Sequence, residues 1–179
     1  MYGWNSEFTG DAQSTEKQLG SPANAKNVIT VGSYDWNDNF HQHGRPVLLT
    51  DPIYGREISV GALSSYSSPG PLRIGNAAKP EIVAPGQWYT APATTNVPTT
   101  RDSTGHYQAF NGTSAATPYA AGVIALLLQK QPTLTFGDIR TRLKECATRD
   151  AETGNVPNAK WGQGKFDIKA VKKLLNVNG

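Results

Sequence analysis

One stretch limits what this chain can fold into: Phe110-Asn111-Gly112-Thr113-Ser114-Ala115-Ala116-Thr117-Pro118, running directly into Tyr119-Ala120-Ala121-Gly122-Val123-Ile124-Ala125-Leu126-Leu127-Leu128. A polar, glycine-containing turn opens a segment that meets no charge until Lys130. Such a pattern predicts a helix over 113–131 that is apolar on every side, and therefore buried all round. It would be about 27 Å long, enough to cross a domain. At its start, the N–H groups of the first turn and the positive end of the helix dipole favour negative charge beside Ser114. A serine placed there can attack a carbonyl while neighbouring N–H groups hold the oxyanion that develops. The plainer alternative is that Thr113 or Ser114 only caps a core helix.

The longer string Gly112-Thr113-Ser114-x-Ala116-x-Pro118, with small residues continuing to Gly122, resembles the serine motif of the subtilisin-like proteases (subtilases). The resemblance implies that Ser114 is the nucleophile and opens a central helix. It also implies that the Thr113 hydroxyl supports the oxyanion by position, alongside the Ser114 backbone N–H. Pro118 falls within the first turns, where it removes one helical hydrogen bond. Tyr119 stands where the family often has histidine, and Thr117 where serine is frequent; neither is the nucleophile position.

Other segments follow in family order. Gly20-Ser21-Pro22-Ala23-Asn24-Ala25-Lys26-Asn27-Val28-Ile29-Thr30-Val31-Gly32 places a β-branched run at 28–31, which predicts a buried strand. It resembles the subtilase segment that leads from the substrate cleft into a core strand. Gly20 then matches the floor of the S1 pocket, where glycine leaves room for a sizeable P1 side chain; read alone, it is a turn glycine. Ser64-Ser65-Tyr66-Ser67-Ser68-Pro69-Gly70-Pro71 looks like the family's Phe-Ser-Ser-x-Gly-Pro turn, with Tyr66 in the aromatic place. Lys79-Pro80-Glu81-Ile82-Val83-Ala84-Pro85-Gly86 reads as a short core strand stopped by Pro-Gly. Residues 107–111 form a short strand delivering the serine turn. After Pro132, Thr135-x-x-Asp138 opens an amphipathic helix with Phe136, Ile139, Leu143 and Cys146 on one face. Trp161-Gly162-Gln163-Gly164-Lys165-Phe166-Asp167 resembles a turn near the subtilase C-terminus, and Asp167 caps a last helix carrying Ile168, Val171, Leu174 and Leu175.

The implied fold is α/β: a three-layer subtilisin-like fold with a mostly parallel sheet, of which residues 1–179 are the C-terminal portion of one catalytic domain. Within it, 1–19 read as loop and 33–57 as an irregular surface insertion. The insertion contains His41 and His43, but no third and fourth ligand lies at metal-site spacing. Glu81 sits where a carboxylate helps hold a weak cation in some relatives; one oxygen donor does not make a calcium site, so it reads as a surface or strand-end glutamate. No cofactor or metal is expected.

The net charge of +3 is scattered until Lys165, Lys169, Lys172 and Lys173, which read as the solvated face of a terminal helix. Without aromatic residues interleaved among the lysines, no nucleic-acid partner is expected. The single cysteine, Cys146, allows neither an internal disulfide nor a zinc cluster and reads as a buried, inert thiol. No apolar run reaches membrane-spanning length, and the first four residues do not begin a signal peptide, which leaves the compartment unread. Asn111-Gly112-Thr113 matches a glycosylation sequon, but a sugar there would block the serine.

A serine at its free pKa needs a general base held by a third group. The family would place an Asp-Thr/Ser-Gly strand end and a His-Gly-Thr helix start upstream of Gly20, and neither motif is present. Asp102-Ser103-Thr104-Gly105 comes in the wrong order; His43-Gly44 lacks the threonine; His106 precedes a strand-like segment. None of the three fits the triad. The oxyanion asparagine is Asn5 or an upstream residue, since Gly3-Trp4-Asn5 only distantly matches Ala-Gly-Asn. The expected function is therefore serine endopeptidase, acting on a peptide or protein through an acyl-enzyme on Ser114, in a piece inactive alone. Its partner would be the N-terminal half of the protease domain, covalent or separate. The alternatives are a non-enzymatic subtilase-derived binding or assembly module, and a different serine hydrolase with its base at His106.

Overall fold

The computed structural model describes residues 16–42, 45–48, 50–51, 55, 57–75, 77–92 and 107–176. The strands are β1 (Val31–Tyr34), β2 (Asn39–Gln42), β3 (Arg45–Leu48), β4 (Ile82–Pro85), β5 (Tyr89–Pro92) and β6 (Tyr107–Phe110). The helices are α1 (Thr113–Lys130), α2 (Phe136–Cys146) and α3 (Ile168–Leu175). β1 and β4 pair in parallel, Val31 opposite Ile82 through Tyr34 opposite Pro85. Every residue of β4 is buried, as suits a parallel strand covered on its faces.

The strand predicted at 28–31 begins only at Val31. The backbone just before it is occupied differently: the Val28 carbonyl accepts from Lys79 Nζ at 2.7 Å, and the Thr30 N–H donates to Glu81 Oε2 at 2.8 Å. Of the two readings of Glu81, the strand end holds and the surface does not. The residue is 7% exposed, flanks the start of β4, and faces Lys79 Nζ at 2.8 Å and Arg140 at 3.6 Å.

The segment read as an irregular insertion contains regular structure among its described residues. Ser33 and Tyr34 belong to β1, Asp35 is buried, and β2 and β3 form an antiparallel hairpin with Asn39 opposite Leu48. Polar side chains hid the hairpin, because its alternation is weak in sequence. Of the loop expected at 1–19, residues 16–19 carry no strand or helix, though the Lys17 and Gln18 N–H groups bond to the Gly70 and Pro69 carbonyls. Residues 1–15 lie outside those described.

α1 follows its predicted span but is not buried all round. Ala115, Ala116, Ala120, Val123 and Leu127 are buried, whereas Ala121, Gly122 and Ala125 are exposed and Leu126 is 50% exposed. Its neighbours β1, β4 and α3 supply a core that takes up one stripe only. That core joins Ile82 and Ala84 to Ala116, Ala120, Leu127, Ile139, Leu143, Phe166 and Leu174. No described helix is long and apolar enough to cross a membrane.

Lys165 also departs from the solvated reading. It is 4% exposed, bonded to Asp150 Oδ2 at 2.7 Å, and lies 5.4 Å from the Tyr34 ring centre and 5.1 Å from that of Trp161. A buried ammonium needs such a counter-ion and such ring faces to offset lost hydration. Lys169, Lys172 and Lys173 are exposed as expected.

α2 opens with a complete capping box: Thr135 Oγ1 accepts from the Asp138 N–H, and Asp138 Oδ2 accepts from the Thr135 N–H at 2.8 Å. Hydrogen bonds from the Thr135 hydroxyl, then its backbone N–H, hold the Asp138 carboxyl below its ordinary pKa. A depressed carboxyl pKa contributes stability above the unfolded value near 4 and loses it as pH falls through the folded value. Thr135→Ala should therefore lower Tm at pH 7, and that deficit should narrow at pH 3; a deficit unchanged by acid would refute the coupling. α3 starts as predicted, with Asp167 Oδ1 accepting from the Ala170 N–H at 2.9 Å, although Ile168 is 63% exposed.

Candidate active site

β6 runs antiparallel to β5, Tyr89 opposite Phe110, and ends where the helix must begin. The turn between them is closed by Gly112, whose φ of 114° lies where a side chain would be strained. Its carbonyl accepts from the N–H groups of Ala115 and Ala116, at 2.9 and 3.2 Å, which starts α1. A helix start leaves the N–H groups of Thr113 and Ser114 without intrahelical acceptors. Pro118 has no N–H to give the Ser114 carbonyl. Ser114 thus sits in the first turn, exposed, at the positive end of an 18-residue helix.

Beside it opens a cavity of about 350 Å³. Its walls come from 19–23, from 28–32 leading into β1, and from Ser68, Pro80, Thr113 and Thr117. Small and aliphatic residues dominate this lining, and none of the described residues that line it is charged. Gly20 and Thr113, separated by most of the chain, meet at this one cavity. A Cβ on Gly20 would touch nothing within 4 Å. The Lys79–Glu81 pair, through Val28 and Thr30, steadies the cavity wall from behind.

Behind the serine turn lies a polar cluster that the sequence reading did not assemble. The Gly112 N–H donates to the Gly86 carbonyl at 2.8 Å and lies 3.3 Å from the Tyr66 hydroxyl. Asn111 Nδ2 donates to Gln87 Oε1 at 3.3 Å, and Gln87 is fully buried. Burial raises the Tyr66 phenol pKa, so it stays protonated near neutrality. The visible signal was tyrosine in the aromatic place of the 64–71 turn.

Asn5, His43, Asp102 and His106 lie outside the described residues. His41 is in β2, its backbone opposite Pro46. Among the described residues, no group of three or more His, Cys, Asp or Glu could hold a metal ion. Cys146 is half-buried, and burial pushes its thiol pKa up, away from the reactive thiolate.

The model of the subtilase family matches residues 5–164. Subtilisin DY of Bacillus licheniformis is 29% identical over 158 residues, 87% of this chain and 41% of its own length. Serine protease AprX of Bacillus subtilis (strain 168) is 31% identical over 140 residues, 75% of this chain and 28% of its own. Among solved structures, the CspB protease of Clostridium perfringens superposes with a TM-score of 0.63 at 25% identity, covering 93% of this chain and 30% of that one. The prenylagaramide maturation protease PagA gives 0.53 at 25% identity, with 89% and 47% covered. The chain thus spans less than half the length of these relatives, and its fold is the α/β fold they share.

Proposed function

From the premise that this chain belongs to the subtilase family, we propose that it is the nucleophile-bearing, C-terminal portion of a serine endopeptidase domain. The observation that carries this reading is an exposed Ser114 in the first turn of α1, beside a cavity to which Thr113 and Gly20 both contribute. Ser114 Oγ attacks a peptide carbonyl and forms the acyl bond as the C–N bond breaks. The proton leaves Oγ for a histidine supplied by another segment and passes from it to the departing amine. Water then hydrolyses the ester. The Ser114 N–H and the Thr113 hydroxyl face the oxyanion, and the cavity receives a side chain of the substrate across Gly20. The base and its orienting acid come from the N-terminal half of the domain, on the same polypeptide or a separate one.

The test is fluorophosphonate labelling, read by mass spectrometry of the peptide that contains Ser114. The chain joined to its N-terminal half should carry the adduct on Ser114, and the chain alone should stay unlabelled. A folded joined protein that takes no label would overturn the peptidase reading in favour of a binding or assembly module.

A further inference from the structure

The polar cluster behind Ser114 begins at a buried carboxylate and ends on the backbone of the serine turn. Ser64 Oγ donates to Asp35 Oδ1 at 2.6 Å, and Ser64 and Ser33 hydroxyls are 2.9 Å apart. Ser33 Oγ lies 3.3 Å from the Tyr66 hydroxyl, which lies 2.7 Å from Gln87 Oε1. The Tyr66 hydroxyl also lies 3.1 Å from the Gly86 carbonyl, so three hydroxyl protons serve five contacts. Asp35, Gln87 Oε1 and the Gly86 carbonyl can only accept, so Ser64 donates to Asp35, and Tyr66 donates to Gln87 Oε1 at 2.7 Å or to the Gly86 carbonyl at 3.1 Å. The Ser33 proton is shared between Ser64 and Tyr66. Tyr66 is thereby committed as a donor, with its lone pairs turned toward the Gly112 N–H at 3.3 Å.

The same turn is packed closely from below. A Cβ on Gly86 would collide with Ser33 Oγ and come within 2.9 Å of the Gly112 carbonyl. Gly86 and Tyr66 thus hold the Gly112 backbone on its hydrogen-bonded side, with Ser33 packed against Gly86.

We propose that the Tyr66 hydroxyl is a positioning group for Ser114, fixing the Gly112 amide and with it the direction in which the first turn of α1 presents the serine oxygen. The role rests on the peptidase reading above. Phenylalanine at this place would keep the ring and its packing but leave the Gly112 N–H on the Gly86 carbonyl alone. Tyr66 touches no reacting atom; it acts through the backbone, so its loss shows in the rate of attack and not in substrate affinity.

The experiment compares wild type and Tyr66→Phe in the complete, joined protein, using peptide hydrolysis and hydrogen exchange at the Gly112 amide. Tyr66→Phe should lower kcat by about tenfold, leave KM within about twofold, and speed Gly112 exchange. An active wild type whose Tyr66→Phe variant keeps both its kcat and its Gly112 exchange rate overturns the positioning role while leaving the peptidase reading intact. A wild type that neither hydrolyses peptides nor labels on Ser114 removes that reading, and the positioning role with it.

Discussion

With Ser114 replaced by alanine, the proposed peptidase in its complete form should lose peptide hydrolysis on the order of 10⁴-fold or more, because the proposed acyl-enzyme route would have no nucleophile. Its fold should be untouched. Ser114 is exposed, and the helix start it occupies is organised by Gly112, whose carbonyl bonds survive the change. Exposed substitutions of this kind stay within about 0.5 kcal/mol. Steady-state kinetics on a peptide and calorimetry of the same preparation separate the two expectations. Turnover retained above a tenth of wild type would place the chemistry on another group, and the assignment of Ser114 would fall.

The second large effect lies in the core. Phe166 is fully buried, stands edge-on to Tyr119 with ring centres 6.2 Å apart, and donates its N–H to the Val83 carbonyl at 2.7 Å. It ties the segment leading to α3 against β4 and the underside of α1 at once. Phe166→Ala leaves the backbone bond but opens a ring-sized void and removes the aromatic pair. The expected loss is about 3–5 kcal/mol, a large share of the roughly 5–15 kcal/mol that holds a domain together. Urea unfolding should show the midpoint falling sharply with the slope unchanged. A loss below about 1 kcal/mol would mean that α1 and α3 close over the gap.

The features that could be read from sequence were those set by neighbours in the chain. α1 and the Gly112 turn announce themselves through glycine, proline and an unbroken apolar run, and the start of α2 through Thr135 and Asp138 three positions apart. What was misread depends on partners distant in sequence. The burial of Lys165 needs Asp150 and the rings of Tyr34 and Trp161. That of Glu81 needs Thr30 and Lys79. The late start of β1 reflects the same long-range bonds. The one-sided burial of α1 was invisible because hydropathy records what a helix can bury, not what is present to cover it. Tyr66 shows the limit most clearly: its place was legible, whereas the use of its oxygen required the approach of Gly112, distant in sequence.

The cavity beside Ser114 draws one part of its wall from Thr113 and Thr117, which belong to the opening turns of the helix that carries the serine. For the peptidase proposed above, the gauge that measures a substrate's side chain and the mount that aims the hydroxyl are one piece. A side chain filling that cavity would lie against the same helix turns that carry the serine. In the proposed peptidase, how well a peptide fits and how well it is aligned for attack would then be linked, so peptides should differ in the rate of cutting as well as in affinity.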